Sequence, residues 1–160
     1  MILITLGSQK FQFDRLLKKI DQLVDEKIIK DKVFAQVGYS TYVPKNYEYK
    51  QFLDREEFLE YQSKADIIIT HGGTGAIIGS IKKGKKVIAV PRLKKFGEHV
   101  DDHQLQLINQ FKQLNLIYAC DDCNDLDEAL KKIEDIKFNS YQSNTNTLLD
   151  AIENYLHTVI

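Results

Sequence analysis

Short apolar runs alternate with amphipathic stretches along most of this chain. Ile2–Leu6 is an unbroken apolar run closed by Gly7-Ser8-Gln9. Between Phe11 and Lys27, the residues Phe13, Leu16, Leu17, Ile20, Leu23 and Val24 recur at three- and four-residue spacing, which predicts an amphipathic helix. Val33–Val37 is a second strand candidate, ended by Gly38, and a loop carrying Pro44 leads to a short strand near Tyr49–Phe52. Arg55–Lys64 reads as a helix, and the β-branched run Ala65–Thr70 closes on His71-Gly72-Gly73. Gly75–Lys83 is expected to be helical up to Gly84, and Lys86–Val90 to be a strand stopped by Pro91. Glu98–Leu114 predicts one long helix, with Val100, Leu105, Leu107, Ile108 and Phe111 along it. Leu116–Ala119 is a last strand, the polar stretch Asn139–Thr147 a loop, and Asp125–Ile136 and Asn146–Leu156 closing helices.

Strands of about five residues between helices, most of them apolar on both faces, point to a parallel sheet covered by helices on each side. The expected fold is α/β, a doubly wound and mostly parallel sheet, with residues 1–160 as one domain. Composition adds exclusions. A formal net charge of −1 argues against a nucleic-acid binder, although a single phosphate pocket would hardly move that balance. No apolar run approaches the ~18 residues of a membrane span, and the start at Met1 does not resemble a signal peptide. The two cysteines, Cys120 and Cys123, suit a reducing interior, so the cytoplasm is the expected compartment.

Candidate chemistry sits where the strands end. Thr70-His71-Gly72-Gly73-Thr74-Gly75 joins a buried strand to a helix, so its backbone can approach a ligand closely and its helix offers free N–H groups. Phosphate is the natural occupant, with Thr74 and His71 as further donors; a plain tight turn is the bland alternative. The spacing is neither G-x-G-x-x-G nor the Walker pattern. Pro91-Arg92 and the segment Glu98-His99-Val100-Asp101-Asp102-His103-Gln104 fall at the same edge. Acids at a helix start are explained by the macrodipole, and no second cluster completes a metal shell, so no metal is expected. Cys120-Asp121-Asp122-Cys123 is a lone C-x-x-C and reads as incidental thiols. Tyr39, Tyr42, Tyr47 and Tyr49 gather around the Pro44 loop, as an exposed surface or one that meets a partner.

Gly7-Ser8-Gln9, His71-Gly72-Gly73-Thr74-Gly75, Val90-Pro91-Arg92 and Asp101-Asp102-His103-Gln104, in this order, resemble the C-terminal domain of family 28 glycosyltransferases. The likeness is closest to short members that are the catalytic subunits of two-chain transferases, in asparagine-linked glycosylation and in bacterial capsule and exopolysaccharide synthesis. It implies the C-terminal, Rossmann-like half of a GT-B fold and UDP-sugar binding, with no metal cofactor. Gly7 and Ser8 from the first loop, with Gly72, Gly73, Thr74 and Gly75, would cradle the diphosphate. His103 and Gln104 fall where the family contacts the donor sugar, and Arg92, nearby, is a candidate to meet phosphate or a carboxylated sugar. Several members carry a ribose-binding glutamate five residues before the glycine that ends this helix. Counting back from Gly84, this chain has Gly79 there, with Asp101 or Glu98 as conceivable substitutes.

The expected activity is inverting transfer from a UDP-sugar to a lipid-linked saccharide, in a complex with a membrane-anchored subunit that holds the acceptor. The chain would then lie at the inner face of the membrane through that partner. The catalytic base is expected on the partner, with His71 the one loop histidine to test against it. The competing readings are a non-catalytic accessory subunit that enhances a partner, and another α/β enzyme such as a UDP-sugar epimerase. Homo-oligomerisation is left open by the sequence.

Overall fold

The computed structural model describes residues 1–140 together with residues 150, 153 and 154. Among them are six strands, β1 (Ile2–Thr5), β2 (Val33–Gln36), β3 (Glu48–Lys50), β4 (Ile67–Thr70), β5 (Lys86–Ala89) and β6 (Tyr118–Ala119). They pair in the order β3-β2-β1-β4-β5-β6, and every pairing is parallel. This is the strand order of Rossmann-type sheets. The chain builds outward from β1 to β3, then returns to lay β4 on the other side of β1. The crevice outside the carboxyl ends of β1 and β4 is therefore the topological switch point, where ligands of such sheets bind.

Five helices within residues 1–140 cover the sheet: α1 (Asp14–Asp25), α2 (Arg55–Lys64), α3 (Thr74–Lys82), α4 (His103–Gln113) and α5 (Leu126–Ile133). Because side chains alternate across a strand, Ile2, Ile4, Ile67 and Ile69 face one way and pack with Leu16, Leu17, Ile20 and Leu23 of α1 and Ile133 of α5. Leu3, Ile68, Val87 and Ala89 face the other way, against Ile77 and Ile81 of α3 and Ile108 and Phe111 of α4. Both faces are thus buried, as the continuous apolar runs require.

The long connection after β2 is fastened to α1 by two carboxylates. Asp14 accepts from the backbone N–H groups of Thr41 and Tyr42. Asp21, 4% exposed, accepts from the Tyr42 hydroxyl and from the Lys45 and Asn46 backbone N–H groups at 2.6–2.8 Å. Tyr47 adds a hydrogen bond to the Leu17 carbonyl. Two of the four clustered tyrosines are therefore half-buried anchors, whereas Tyr39 and Tyr49 are exposed.

One expected element is divided. The span 98–114 is not a single helix: a short 3-10 turn covers Lys94–Phe96, Gly97 turns the chain with φ +65°, and α4 begins only at His103. The reason is local polar competition with the helix. Asp101 accepts from the His103 N–H, Asp102 accepts from the Lys94 N–H, and Glu98 is drawn into the interior. Val100 consequently points to solvent rather than lying along a helix. The expected loop over Asn139–Thr147 and helix over Asn146–Leu156 lie largely outside the described residues.

Burial alone would push the Asp21 carboxyl up, but its hydrogen bonds from Tyr42, Lys45 and Asn46 outweigh this and hold it below the ordinary value. A lowered folded value means that the stabilisation is present at neutral pH and is lost as pH falls through that value. Asp21→Ala is expected to cost about 2–3 kcal/mol in urea unfolding at pH 7, from the lost charged hydrogen bonds. The difference from the parent should shrink in the acid range below the normal carboxylate titration.

Candidate functional site

The carboxyl ends of β1 and β4 are joined by the buried Thr70 hydroxyl, which donates to the Thr5 carbonyl at 2.9 Å. The next residue, His71, is 5% exposed and lies between two glycines of different loops. A Cβ built on Gly7 would sit 2.8 Å from His71 Nε2, and one built on Gly73 only 2.2 Å from His71 Cε1. Gly7 also has φ +71°, where L side chains are strained. Gly72 is equally committed, with its Cβ position 2.6 Å from that of Gln104, whereas Gly75 has open space around it. The glycines of the loop therefore divide into those that let His71 and Gln104 pack and one that leaves the start of α3 bare.

Gln104 ties the edge together. Its Oε1 accepts from the backbone N–H groups of Gly72 at 3.1 Å and Arg92 at 3.0 Å, and its Nε2 lies 3.3 Å from His71 Nδ1. An amide nitrogen only donates, so His71 Nδ1 must accept. This network assigns the imidazole proton to Nε2, on the side of Gly7 and Gly73. Burial first, then the Arg92 guanidinium and His99, depress the His71 pKa to about 3, and an amide N–H donated to Nδ1 likewise favours the neutral ring. His71 is thus a neutral donor with its outer nitrogen already protonated. That geometry speaks against it as the proton-accepting base, which needs a free lone pair near the working pH.

Arg92 departs from its expected place at the ligand. Its guanidinium is 1% exposed and donates through Nη2 to the carbonyls of Leu6 at 2.9 Å and Phe11 at 3.2 Å. It closes the base of the first loop from beneath, and burial lowers its pKa to about 10 despite Glu98. Glu98, fully buried, is held by both Nε and Nη2 of Arg15 at 3.0 Å and accepts from the Leu93 N–H. Neither a helix-start acid nor a free ribose ligand describes it. The ion pair binds the segment after β5 to α1.

Above this network lies a cavity of about 520 Å³. Residues 71–75 form one wall. Gln9 enters from the first loop, where Ser8 stays exposed outside it. The facing wall comes from His99, Asp101, His103 and Gln104. No side chain caps the amino ends of α3 or α4, although Asp101 takes the His103 N–H. The start of α3 therefore opens on this space with free N–H groups, a favourable arrangement for an anion. It lies beside the start of α4, where Asp101 holds the first N–H and the Asp102 carbonyl that of Leu105. Two larger hollows, of about 630 and 730 Å³, lie beside Gly84 and Phe138 and between α1 and Asp122, away from the glycine loop.

Sequence reasoning brought together Gly7, His71, Gly72, Gly73, Thr74, Gly75, His103 and Gln104, and the structure gathers them at one edge. It overlooked Gln9 and His99. His99 stands in a segment that was noticed, but a supposed helix hid its place in the wall. Asp101 Oδ1 lies 3.2 Å from His99 Nδ1, and Asp101 Oδ2 lies 3.8 Å from His103 Nε2. Among the described residues, no three His, Cys, Asp or Glu side chains are placed to hold a metal ion. Cys120 and Cys123 are buried free thiols whose pKa values burial raises to about 12, which makes them inert.

Two outcomes follow for stability. Gly73→Ala should lose about 1–3 kcal/mol through overlap with the imidazole, whereas Gly75→Ala should be neutral or gain up to about 1 kcal/mol from helix propensity. Equal effects in urea unfolding would contradict the packing role of Gly73. For pH, a histidine lowered from 6.5 to about 3 is protonated in the unfolded chain before the folded one. Its contribution is therefore complete above the unfolded value and shrinks as pH falls toward 3, amounting to a loss of about 2 kcal/mol at pH 5. A His71→Asn variant should show a flatter stability profile between pH 7 and 5.

Residues 1–157 match the model of the glycosyltransferase family 28 C-terminal domain. The chain is 29% identical over 109 residues, 65% of its length, to the human UDP-N-acetylglucosamine transferase subunit ALG13. That alignment spans 9% of the human protein, and the match to the mouse protein spans 7%, so the chain corresponds to a small part of these relatives. The solution structure of ALG13 superposes with TM-score 0.60 at 17% identity, over 92% of this chain and 94% of that one. The calicheamicin glycosyltransferase CalG4 gives 0.58 at 17% identity, over 96% of this chain and 36% of that one. With the sheet order, these likenesses identify the fold as Rossmann-like, the C-terminal half of a GT-B architecture. The match over nearly the whole chain makes it a member of the glycosyltransferase family 28 C-terminal domain family.

Proposed function

We propose that this chain is the donor-binding part of a glycosyltransferase and takes a UDP-sugar in the cavity at the switch point. The observation that carries the reading is the uncapped start of α3 opening, through the glycine loop, on a cavity whose facing wall is the segment that leads into α4. Thr74 and Gly75 open α3 there, and their N–H groups, with the Nε2–H of His71, suit a diphosphate. Preorganised N–H dipoles in a fixed site also stabilise the charge that develops on a leaving diphosphate, so the reading requires no cation. His103 and the accessible edge of Gln104 would meet the sugar, and Ser8 and Gln9 would approach from the first loop. Arg92 acts from beneath, by shaping that loop.

The sugar would pass to a lipid-linked saccharide with inversion, as in capsule or exopolysaccharide assembly. A membrane-anchored second subunit would supply the acceptor site and the base, consistent with His71 being a poor proton acceptor. Relatives named as transferase subunits support such a partner. Among the described residues no helix is long and apolar enough to cross a membrane. A cytoplasmic chain held at the inner membrane face by its partner accords with this.

A second reading, an accessory subunit that enhances a partner without binding donor strongly, has Gly79 in its favour. Space around that position on α3 is open, and no side chain stands where several family members hold ribose.

Calorimetric titration of the chain with UDP in the presence of a chelator separates the two. Donor binding predicts saturation by UDP, with ADP at least about tenfold weaker. Failure of UDP to bind at millimolar concentration would sink the donor-site reading and put the accessory role first.

A further inference from the structure

The charges around the cavity are unevenly distributed. Asp101 and Glu153 line it, three imidazoles line it, and no Lys or Arg does among the described residues. The two arginines nearest in the fold do not line it. Arg92 is buried beneath, with Nη2 on the Leu6 and Phe11 carbonyls and Nε and Nη1 without a partner among the described residues. Arg15 is paired with Glu98. The positive side of the cavity wall is therefore made by the N–H groups at the start of α3, whose influence fades within one turn, with the Arg92 guanidinium buried beneath His71.

Asp101 holds its carboxylate at the beginning of that wall. Its Oδ1 accepts the His103 N–H at 3.0 Å and faces His99 Nδ1. Among the described residues its Oδ2 accepts no hydrogen bond, and His103 Nε2 lies 3.8 Å away, beyond reach. One carboxylate oxygen is thus fixed in place with accepting capacity left over. A sugar hydroxyl satisfies it. A sugar carboxylate would instead set a further anion beside Asp101 and Glu153, where no Lys or Arg lines the cavity among the described residues.

Deepening the donor-site reading above and resting on it, we propose that Asp101 is a specificity-determining residue that restricts the donor to uncharged sugars. Its Oδ2 accepts a hydroxyl of the sugar, and its charge rejects uronates.

The test is calorimetry on the chain at pH 8, above the ordinary titration range of imidazole. Matched pairs are compared, UDP-glucose with UDP-glucuronate and UDP-galactose with UDP-galacturonate, with UDP itself as reference. In each pair the uronate should bind at least about tenfold more weakly. Asp101→Asn keeps an acceptor for the His103 N–H but removes the charge, so, with each affinity referred to that of UDP for the same variant, the gap within each pair should narrow to about threefold or less. Uronates that bind as well as their neutral counterparts would overturn the proposal, as would a gap unchanged in Asp101→Asn. If UDP does not bind at all, the donor-site reading itself has failed, an outcome distinct from lost discrimination between sugars.

Discussion

The side-chain amide of Gln104 holds three separate segments in one arrangement. It accepts from the N–H of Gly72 after β4 and of Arg92 after β5, and its nitrogen fixes the tautomer of His71. His71 in turn fills the gap between Gly7 and Gly73, and Arg92 reaches back to close the first loop through the Leu6 and Phe11 carbonyls. The loops that follow β1, β4 and β5 are thus set by one another before any ligand arrives. Losing the amide would leave two buried N–H groups unsatisfied, a cost that falls on exposed loops only when they are held inside.

This fixed edge explains how a chain of net charge −1 can offer an anion site. The amino end of α2 is closed by its own residues, with Asp54 and Glu57 forming a reciprocal capping box. The amino ends of α3 and α4 carry no side-chain cap, and both open on the same cavity. α1 and α5 lack a side-chain cap as well, so what sets α3 and α4 apart is that their amino ends line one cavity. Global charge is silent about such a site because its positive character lies in the backbone.

The sheet was legible in the sequence because its signals are local. Apolar runs such as Ile2–Leu6 and Ala65–Thr70 need no partner to be recognised, and the helix over Arg55–Lys64 matches α2 residue for residue. The glycine loop was legible for the same reason. What escaped depends on contacts between distant residues. Arg92 and Glu98 look like ligand groups in sequence, but Leu6 lies 86 residues from the former and Arg15 lies 83 from the latter. Those partners turn both side chains inward. The segment 98–102 carries acids suited to a helix start, yet Asp101 and Asp102 spend them on nearby N–H groups and delay the helix to His103. His99 joined the wall only through that irregular backbone, which no periodicity announces.

Gly79 shows how the remaining parts of the site share the work. A ribose-holding carboxylate on α3 would anchor the nucleoside independently of the diphosphate, and the space for one is open here. Without it, donor affinity on the proposed reading rests on the helix starts and on the wall of His99, Asp101 and His103. Dipoles at helix ends act over about one turn, so such a site depends on exact loop placement more than on any single ligand. The burial of His71, the inward turn of Arg92 and the glycines that admit them then serve one requirement. They keep the bare start of α3 and the wall before α4 set around one cavity.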